Sequence, residues 1–109
     1  MEGVELISFQ IISAVGSARS MYIEAIQLAK QGDIEGAQKL MKEGEAVFVE
    51  GHHAHAKLIQ QEASGESSTI TLLLLHAEDQ LMSAEGFKII ADEMIDVYKR
   101  LLPLEQNTK

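Results

Sequence analysis

The sequence predicts an all-α protein built from three long antiparallel helices. Apolar residues recur at three- and four-residue steps along three long segments, which is the period of an amphipathic helix. Aromatic residues make up only 5% of the chain, and there is one proline in 109 residues. Two clusters of helix-breaking residues, "GD" and "SGESS", separate the segments. We therefore expect a single domain over residues 1–109, a length that can bury a modest core.

The first helix is predicted from the apolar period that begins at Val4, and it should end near Gln31. Gly32 then suits the left-handed position that follows a helix, and Asp33 suits the N-cap of the next one. Glu35 falls in the first turn of that next helix, where the helix dipole favours a negative charge. We expect a tight connection and therefore two antiparallel neighbours.

The second helix should run to the breaker at residues 64–68 and contains three internal glycines, Gly36, Gly44 and Gly51. Each costs roughly 0.5–1 kcal/mol relative to alanine. Such glycines can let another helix come close. The alternative is that they occupy tolerated surface positions.

The third helix is predicted to be capped by Ser67 or Ser68 and to end at Pro103. Its apolar residues form two stripes. The first suits a monomer core and consists of Leu73, Ala77, Ala84, Phe87, Ala91, Met94 and Tyr98. The second consists of Leu75, Met82 and Ile89. An apolar stripe beyond the core usually marks an interface, so we expect a symmetric homo-oligomer packed through the third helices.

Composition and charge exclude several classes of protein. Seventeen acidic residues against nine basic ones give a net charge of -8, which opposes the phosphate neutralisation that nucleic-acid binding needs. There is no cysteine for a disulfide or a thiolate metal site. The start "MEGVE" lacks the features of a secretory signal, and the longest aliphatic run, residues 72–75, is far shorter than the roughly 20 residues of a membrane span. We expect a soluble cytoplasmic protein with no membrane insertion.

Polar side chains interrupt the apolar third helix in "LLLLHAEDQLM". His76, Asp79 and Gln80 point to roughly the same side, whereas Glu78 points away. Asp79 also lies in line with the second stripe, so an oligomer would gather its copies around a symmetry axis. Clustered carboxylates need protons or a cation, and oxygen ligands suit Mg²⁺, Ca²⁺ or Mn²⁺. The alternative is a partly solvated Asp79 that pairs with a lysine.

His76 is a candidate phosphoryl acceptor. A neutral imidazole among aliphatic neighbours can accept a phosphoryl group on one nitrogen when a hydrogen bond at the other nitrogen fixes the tautomer. The alternative is a purely structural histidine.

The other histidines, His52, His53 and His55, lie in "GHHAHAKL". His52 and His55 have the i, i+3 spacing of a possible metal pair, but no third ligand at a telling spacing accompanies them. The alternative is a solvated helix face.

Four segments together resemble the IIA component of the lactose/cellobiose (N,N'-diacetylchitobiose) branch of the bacterial sugar phosphotransferase system. They are "GSARSMYIEAI", "AKQGDIEGAQKLM", "HHAHAKLIQQEASGE" and "LLLLHAEDQLM". The resemblance covers nearly the whole chain, in order and with matching turns.

This resemblance implies a homotrimeric nine-helix bundle in which His76 carries the phosphoryl group. It implies that HPr is the donor, that a cysteine of the IIB component is the acceptor, and that IIB serves the membrane IIC permease. Asp79 would be shared by three subunits around a divalent metal ion, with Mg²⁺ as the expected ion. Gln80 would support His76. The sugar would be a β-disaccharide such as cellobiose, chitobiose or lactose, and this subunit would not bind it.

The chain departs from the pattern of that family at three positions. The motif usually reads His-Ala-Gln-Asp-His-Leu-Met, whereas this chain has Glu78 and Gln80, and His55 stands where glutamine is common. The two departures within the motif, Glu78 and Gln80, motivate an alternative hypothesis, a helical interaction or regulatory module that keeps the bundle without phosphotransfer. A third hypothesis, a metalloenzyme using His52, His55 and His76, requires distant residues to converge.

Overall fold

Three helices form an elongated antiparallel bundle. The computed structural model describes residues 3–66 and 69–107, which contain α1 (Gly3–Lys30), α2 (Ile34–Ala63) and α3 (Leu72–Asn107). The bundle measures 63 × 21 × 17 Å. Helix α1 packs along both α2 and α3, whereas α2 and α3 contact each other much less. The predicted all-α fold of three long helices is confirmed.

The turn between α1 and α2 follows the predicted chemistry. Gly32 has φ 102°, a left-handed conformation that costs glycine little because it lacks a Cβ. The Gly32 amide donates to the Ala29 carbonyl at 3.0 Å and the Asp33 amide to the Leu28 carbonyl at 2.9 Å, the paired bonds of a Schellman motif. The Asp33 side chain accepts from the Gly36 amide at 2.9 Å. The turn therefore closes one helix and opens the next within three residues.

The start of α3 differs from the prediction. The proposed caps, Ser67 and Ser68, lie outside the described residues. In the structure the Thr71 hydroxyl accepts a hydrogen bond from the Leu74 amide at 3.1 Å, which is the N-cap interaction. Thr71 therefore caps this helix.

The prediction that Pro103 ends the third helix is wrong, because α3 continues through it to its last described turn. Proline removes one amide donor and crowds the carbonyl four residues earlier, that of Lys99. Both residues are exposed, so water can reach the freed carbonyl. A local cost near the end of a long helix does not outweigh continued helix formation.

Two glycines of α2 let it approach α1 closely. A Cβ built on Gly44 would lie 2.7 Å from Tyr22 Cε1, and one built on Gly51 would lie 2.6 Å from Val15 Cγ1. Real Cβ atoms do not come that near another carbon, so only glycine fits at this helix separation. The close-approach interpretation is confirmed for these two positions. Gly36 has another role, since a Cβ there would meet the carboxylate of the capping aspartate.

The core runs along α1 and has two buried clusters. One contains Ala18, Tyr22, Ala25, Ala29, Ala37, Met41, Ala91 and Ile95. The other contains Ile11, Val15, Ala54, Leu58, Ala77, Leu81 and Ala84. The predicted core stripe of α3 is confirmed at Ala77, Ala84 and Ala91, which are fully buried. It omitted Leu81 and Ile95, which lie on the same face and complete the packing.

Candidate functional site

The residues near the start of α3 lie on three sides of the helix, one facing the core and two on its flanks. Successive helical residues are about 100° apart, so each face can be assigned. Ala77 and Leu81 point into the core. His76 and Gln80 lie on one flank of the helix, and Glu78 lies on the opposite flank.

The flank of His76 faces α1. The His76 side chain is exposed, and Gln80 and Ser83 follow it at one and two helical turns. Ser83 Oγ accepts a hydrogen bond from Arg19 Nη1 of α1 at 3.2 Å. Within the described residues there is no hydrogen bond between Gln80 and His76. His76 is thus an accessible imidazole on a helix that an arginine anchors two turns away.

Arg19 and Ser83 were not identified as candidate residues from the sequence. Two signals could have found them. Arg19 is the first basic residue of the chain and stands in a run of small residues, "GSARS". Ser83 follows His76 by seven residues, which places both on one helical face.

The opposite flank of α3 faces α2 through a short contact. His55 Nε2 and Glu78 Oε1 are 2.7 Å apart. The His55 side chain is 17% exposed and that of Glu78 is 45% exposed. Two of the three positions that depart from the pattern of the resembled family therefore contact each other.

Between the two flanks lies an open apolar face. Leu75, Met82 and Ile89, the predicted second stripe, are 54%, 64% and 62% exposed in the single chain. Asp79 is exposed between the first two of them. The face continues along the helix through Ile90, Val97, Leu101 and Leu104. The structure confirms that the monomer core does not use this stripe.

One chain does not build a metal site in the part that the structure describes. No group of three or more His, Cys, Asp or Glu residues there is arranged to hold an ion. His52, His55 and His76 do not converge, which contradicts the metalloenzyme hypothesis. His52 and His53 are exposed. Asp79 is a single accessible carboxylate, so it fits a divalent ion only if other copies supply the remaining oxygen ligands.

A cavity of about 360 Å³ opens between the end of α2 and the start of α3, next to the flank of Glu78. Its walls combine aliphatic and acidic side chains, among them Leu58, Glu62, Leu74 and Glu78. No cluster of positive charge lines it. Among the described residues no helix has the length and hydropathy of a membrane span.

A buried phenol lies farther along the bundle. Tyr22 is 0% exposed, and its hydroxyl has no hydrogen-bond partner among the described residues. Burial raises the pKa of Tyr22 to about 12, and the carboxylates of Glu45 and Asp92 add to the increase. Its packing partners belong to the core cluster away from His76, so Tyr22 serves the core rather than this site.

Comparison with known proteins decides the family. The family model for the lactose/cellobiose-specific IIA subunit of the phosphotransferase system matches residues 6–99. The chain belongs to this family. The resemblance inferred from its motifs is therefore confirmed.

Relatives of this IIA subunit support the same conclusion. It is 43% identical over 100 residues to the lichenan-specific phosphotransferase enzyme IIA component of Bacillus subtilis, covering 92% of this chain and 91% of the relative. It is similar to the crystal structure of the cellobiose-specific enzyme IIA from Bacillus anthracis, with TM-score 0.91, 45% identity and 94% of each chain covered.

A second similar structure contains a bound partner. It is the solution structure of the IIA(Chitobiose)-HPr complex of the Escherichia coli phosphotransferase system. The TM-score is 0.79 and the identity 30%, with 93% of this chain and 98% of the other chain covered.

Proposed function

We propose that this IIA subunit is a phosphocarrier and that His76 is its phosphoryl acceptor. The observation that supports this most directly is the accessible His76 imidazole, on a helix whose neighbouring turn packs into the core. Transfer between two proteins needs a group that is exposed to the partner and yet held in place. The similar IIA structure that was solved in complex with HPr supports phospho-HPr as the donor.

The reaction is a displacement at phosphorus. A ring nitrogen of neutral His76 attacks the phosphoryl group of the donor phosphohistidine. The bond from phosphorus to His76 forms as the bond to the donor nitrogen breaks, and the donor nitrogen keeps that electron pair. Each imidazole keeps the proton on its other nitrogen. A cysteine thiolate of IIB then attacks the same phosphorus and His76 is released in its original form.

Gln80 has a supporting role in this proposal. It lies one turn after His76 on the same flank and is half-buried, so its amide can donate to a phosphoryl oxygen. Phosphoryl transfer is catalysed mainly by alignment and charge stabilisation, and a positioned amide donor contributes to both.

The open apolar face of α3 supports a homotrimer as the working assembly. Packing the faces of three copies together would bury this face and bring the copies of Asp79 to the axis. Three clustered carboxylates repel one another, and a divalent cation, with Mg²⁺ as the expected ion, would neutralise them. The metal has a structural role here, and His76 does not depend on it for its nucleophilic nitrogen.

The names of similar proteins support a substrate class. Two of the similar proteins named above are specific for lichenan and cellobiose, names that indicate β-linked glucose units, and the third is named for chitobiose. We assign this subunit to the uptake of a β-linked disaccharide or oligosaccharide through IIB and the membrane IIC permease. A cytoplasmic location is part of the same proposal, because the donor and acceptor domains act there.

The test is intact mass after incubation with phosphoenolpyruvate, Enzyme I and HPr. We expect an acid-labile phosphoryl adduct on the wild type and none on His76→Ala. The matched control is His53→Ala, which changes another exposed histidine and should keep the adduct. No adduct on a folded wild type with active donors would contradict the phosphocarrier function and favour the interaction-module hypothesis.

A further inference from the structure

At one level along the axis of α3, its two flanks carry different residues. His76 lies on the flank that faces α1, and Glu78, held by His55, lies on the flank that faces α2. The two residues are separated by about 200° around the helix and by about 3 Å along it. Within one chain Glu78 therefore points away from His76.

A cyclic assembly changes these neighbours. In a ring each subunit uses one side of its surface to contact the other side of the next subunit. With the open apolar face toward the axis, the His76 flank of one copy meets the Glu78 flank of the next copy. Rotation about the axis keeps heights unchanged, so the two residues meet at nearly the same level.

We infer that His55 of one subunit, by holding Glu78, keeps that carboxylate away from the phosphoryl-accepting site of the neighbouring subunit, an inference that rests on the proposed trimeric phosphocarrier. His55 is a positioning residue. Its Nε2 lies 2.7 Å from Glu78 Oε1 and holds that carboxylate against α2, away from the neighbour's His76. A carboxylate released toward His76 would repel the phosphoryl group that arrives there.

The main variant is His55→Ala, which releases Glu78. Repulsion between one carboxylate and a doubly charged phosphoryl group at about 8 Å lowers phosphoryl acceptance about fivefold at low ionic strength. We expect the defect in kcat/KM for phospho-HPr, because the phosphoryl group carries its charge already in the docked complex. Adding Glu78→Gln to this variant should restore the wild-type rate, since the side chain released by the alanine no longer carries a charge.

Two controls and one condition separate charge from packing. His53→Ala removes an exposed histidine two residues away, and Glu85→Gln removes an exposed carboxylate one heptad further along the same flank; both should transfer at the wild-type rate. Added salt should reduce the His55→Ala defect to about twofold at physiological ionic strength, because the Debye length is then about 8 Å. A packing defect would not respond to salt in this way.

Mixed trimers test whether the pair acts on the neighbour. His55→Ala subunits, which keep His76, are refolded together with an equal amount of His76→Ala subunits, which keep His55 and Glu78. In random assembly about half of the phosphorylatable subunits then adjoin an intact pair. We expect about that fraction to be phosphorylated at the wild-type rate. A uniformly slow reaction would overturn an action between subunits.

The outcomes are distinguishable from a failure of the proposed function. If the wild type accepts no phosphoryl group, or sediments as a monomer, the phosphocarrier trimer fails and this inference fails with it. If the wild type accepts the group as a trimer and folded His55→Ala is equally fast, only the inference fails. Persistence of the defect after Glu78→Gln would also overturn it, because the carboxylate would then not be the cause.

Discussion

Replacing Gly51 with alanine should destabilise the bundle, although alanine is the better helix former. The added Cβ would lie 2.6 Å from Val15 Cγ1 and 3.4 Å from Ala14 Cβ. Val15 is fully buried, and a β-branched side chain in a helix has essentially one rotamer, so it cannot move aside. Overpacking a core in this way costs about 1–3 kcal/mol.

The gain in helix propensity opposes that cost. Replacing a helical glycine with alanine is worth about 1 kcal/mol, so the net loss for Gly51→Ala is about 0–2 kcal/mol. Gly16→Ala is the matched control, because nothing lies within 4 Å of a Cβ at that position of α1. It should gain the propensity alone, and the two variants should differ by about 1–3 kcal/mol.

The assay is urea unfolding followed by helical circular dichroism, with both variants and the wild type at one protein concentration, because an oligomer's stability depends on concentration. The midpoint of Gly51→Ala should lie well below that of Gly16→Ala. Equal stabilisation by the two substitutions would show that α1 and α2 are not as close at Gly51 as the structure has them.

Three further predictions concern other parts of the molecule. Because the Tyr22 pKa is raised to about 12 from about 10 in unfolded chains, the wild type should lose stability as pH rises from 10 to 12. In unfolding measured at several pH values, Tyr22→Phe should lose less stability over this range, and an equal loss would contradict the raised pKa. Met82→Glu puts a charge on the open apolar face, so sedimentation should show smaller species while the helix content stays unchanged. The control Glu50→Lys, on the exposed surface of α2, should leave the assembly intact. Asp79→Asn should remove bound divalent metal, measured by elemental analysis of the purified protein; retained metal would place the ion elsewhere.

Local signals predicted the turns well where one residue type had a single physical reason to be there. Gly32 and Asp33 were assigned correctly, since a left-handed residue and an N-cap each have strong sequence preferences. Pro103 was interpreted too strictly, because near an exposed helix end the loss of one hydrogen bond is a small cost. Thr71 was missed because the two serines before it offered equally good caps.

The candidate site divides in the same way. His76, Asp79 and Gln80 were proposed as site residues from spacing and from motifs that resemble a known family, and the chain belongs to that family. The pairing of His55 with Glu78 could not be predicted, since the two residues are 23 positions apart and their contact depends on how α2 and α3 pack. Spacing along one helix predicts the direction of the Glu78 side chain, but it does not predict which residue of another helix that side chain contacts.

The amino-acid sequence by itself determined the helical class, the division into three long segments, the first turn and the presence of a second apolar stripe. All of these depend on interactions between residues close in the chain or on a simple period. Tertiary structure alone decided that Gly44 and Gly51 let α1 pack closely against α2, that Arg19 binds Ser83, and that His55 contacts Glu78. Such contacts depend on the separation and rotation of packed helices, which the summed packing of many side chains sets.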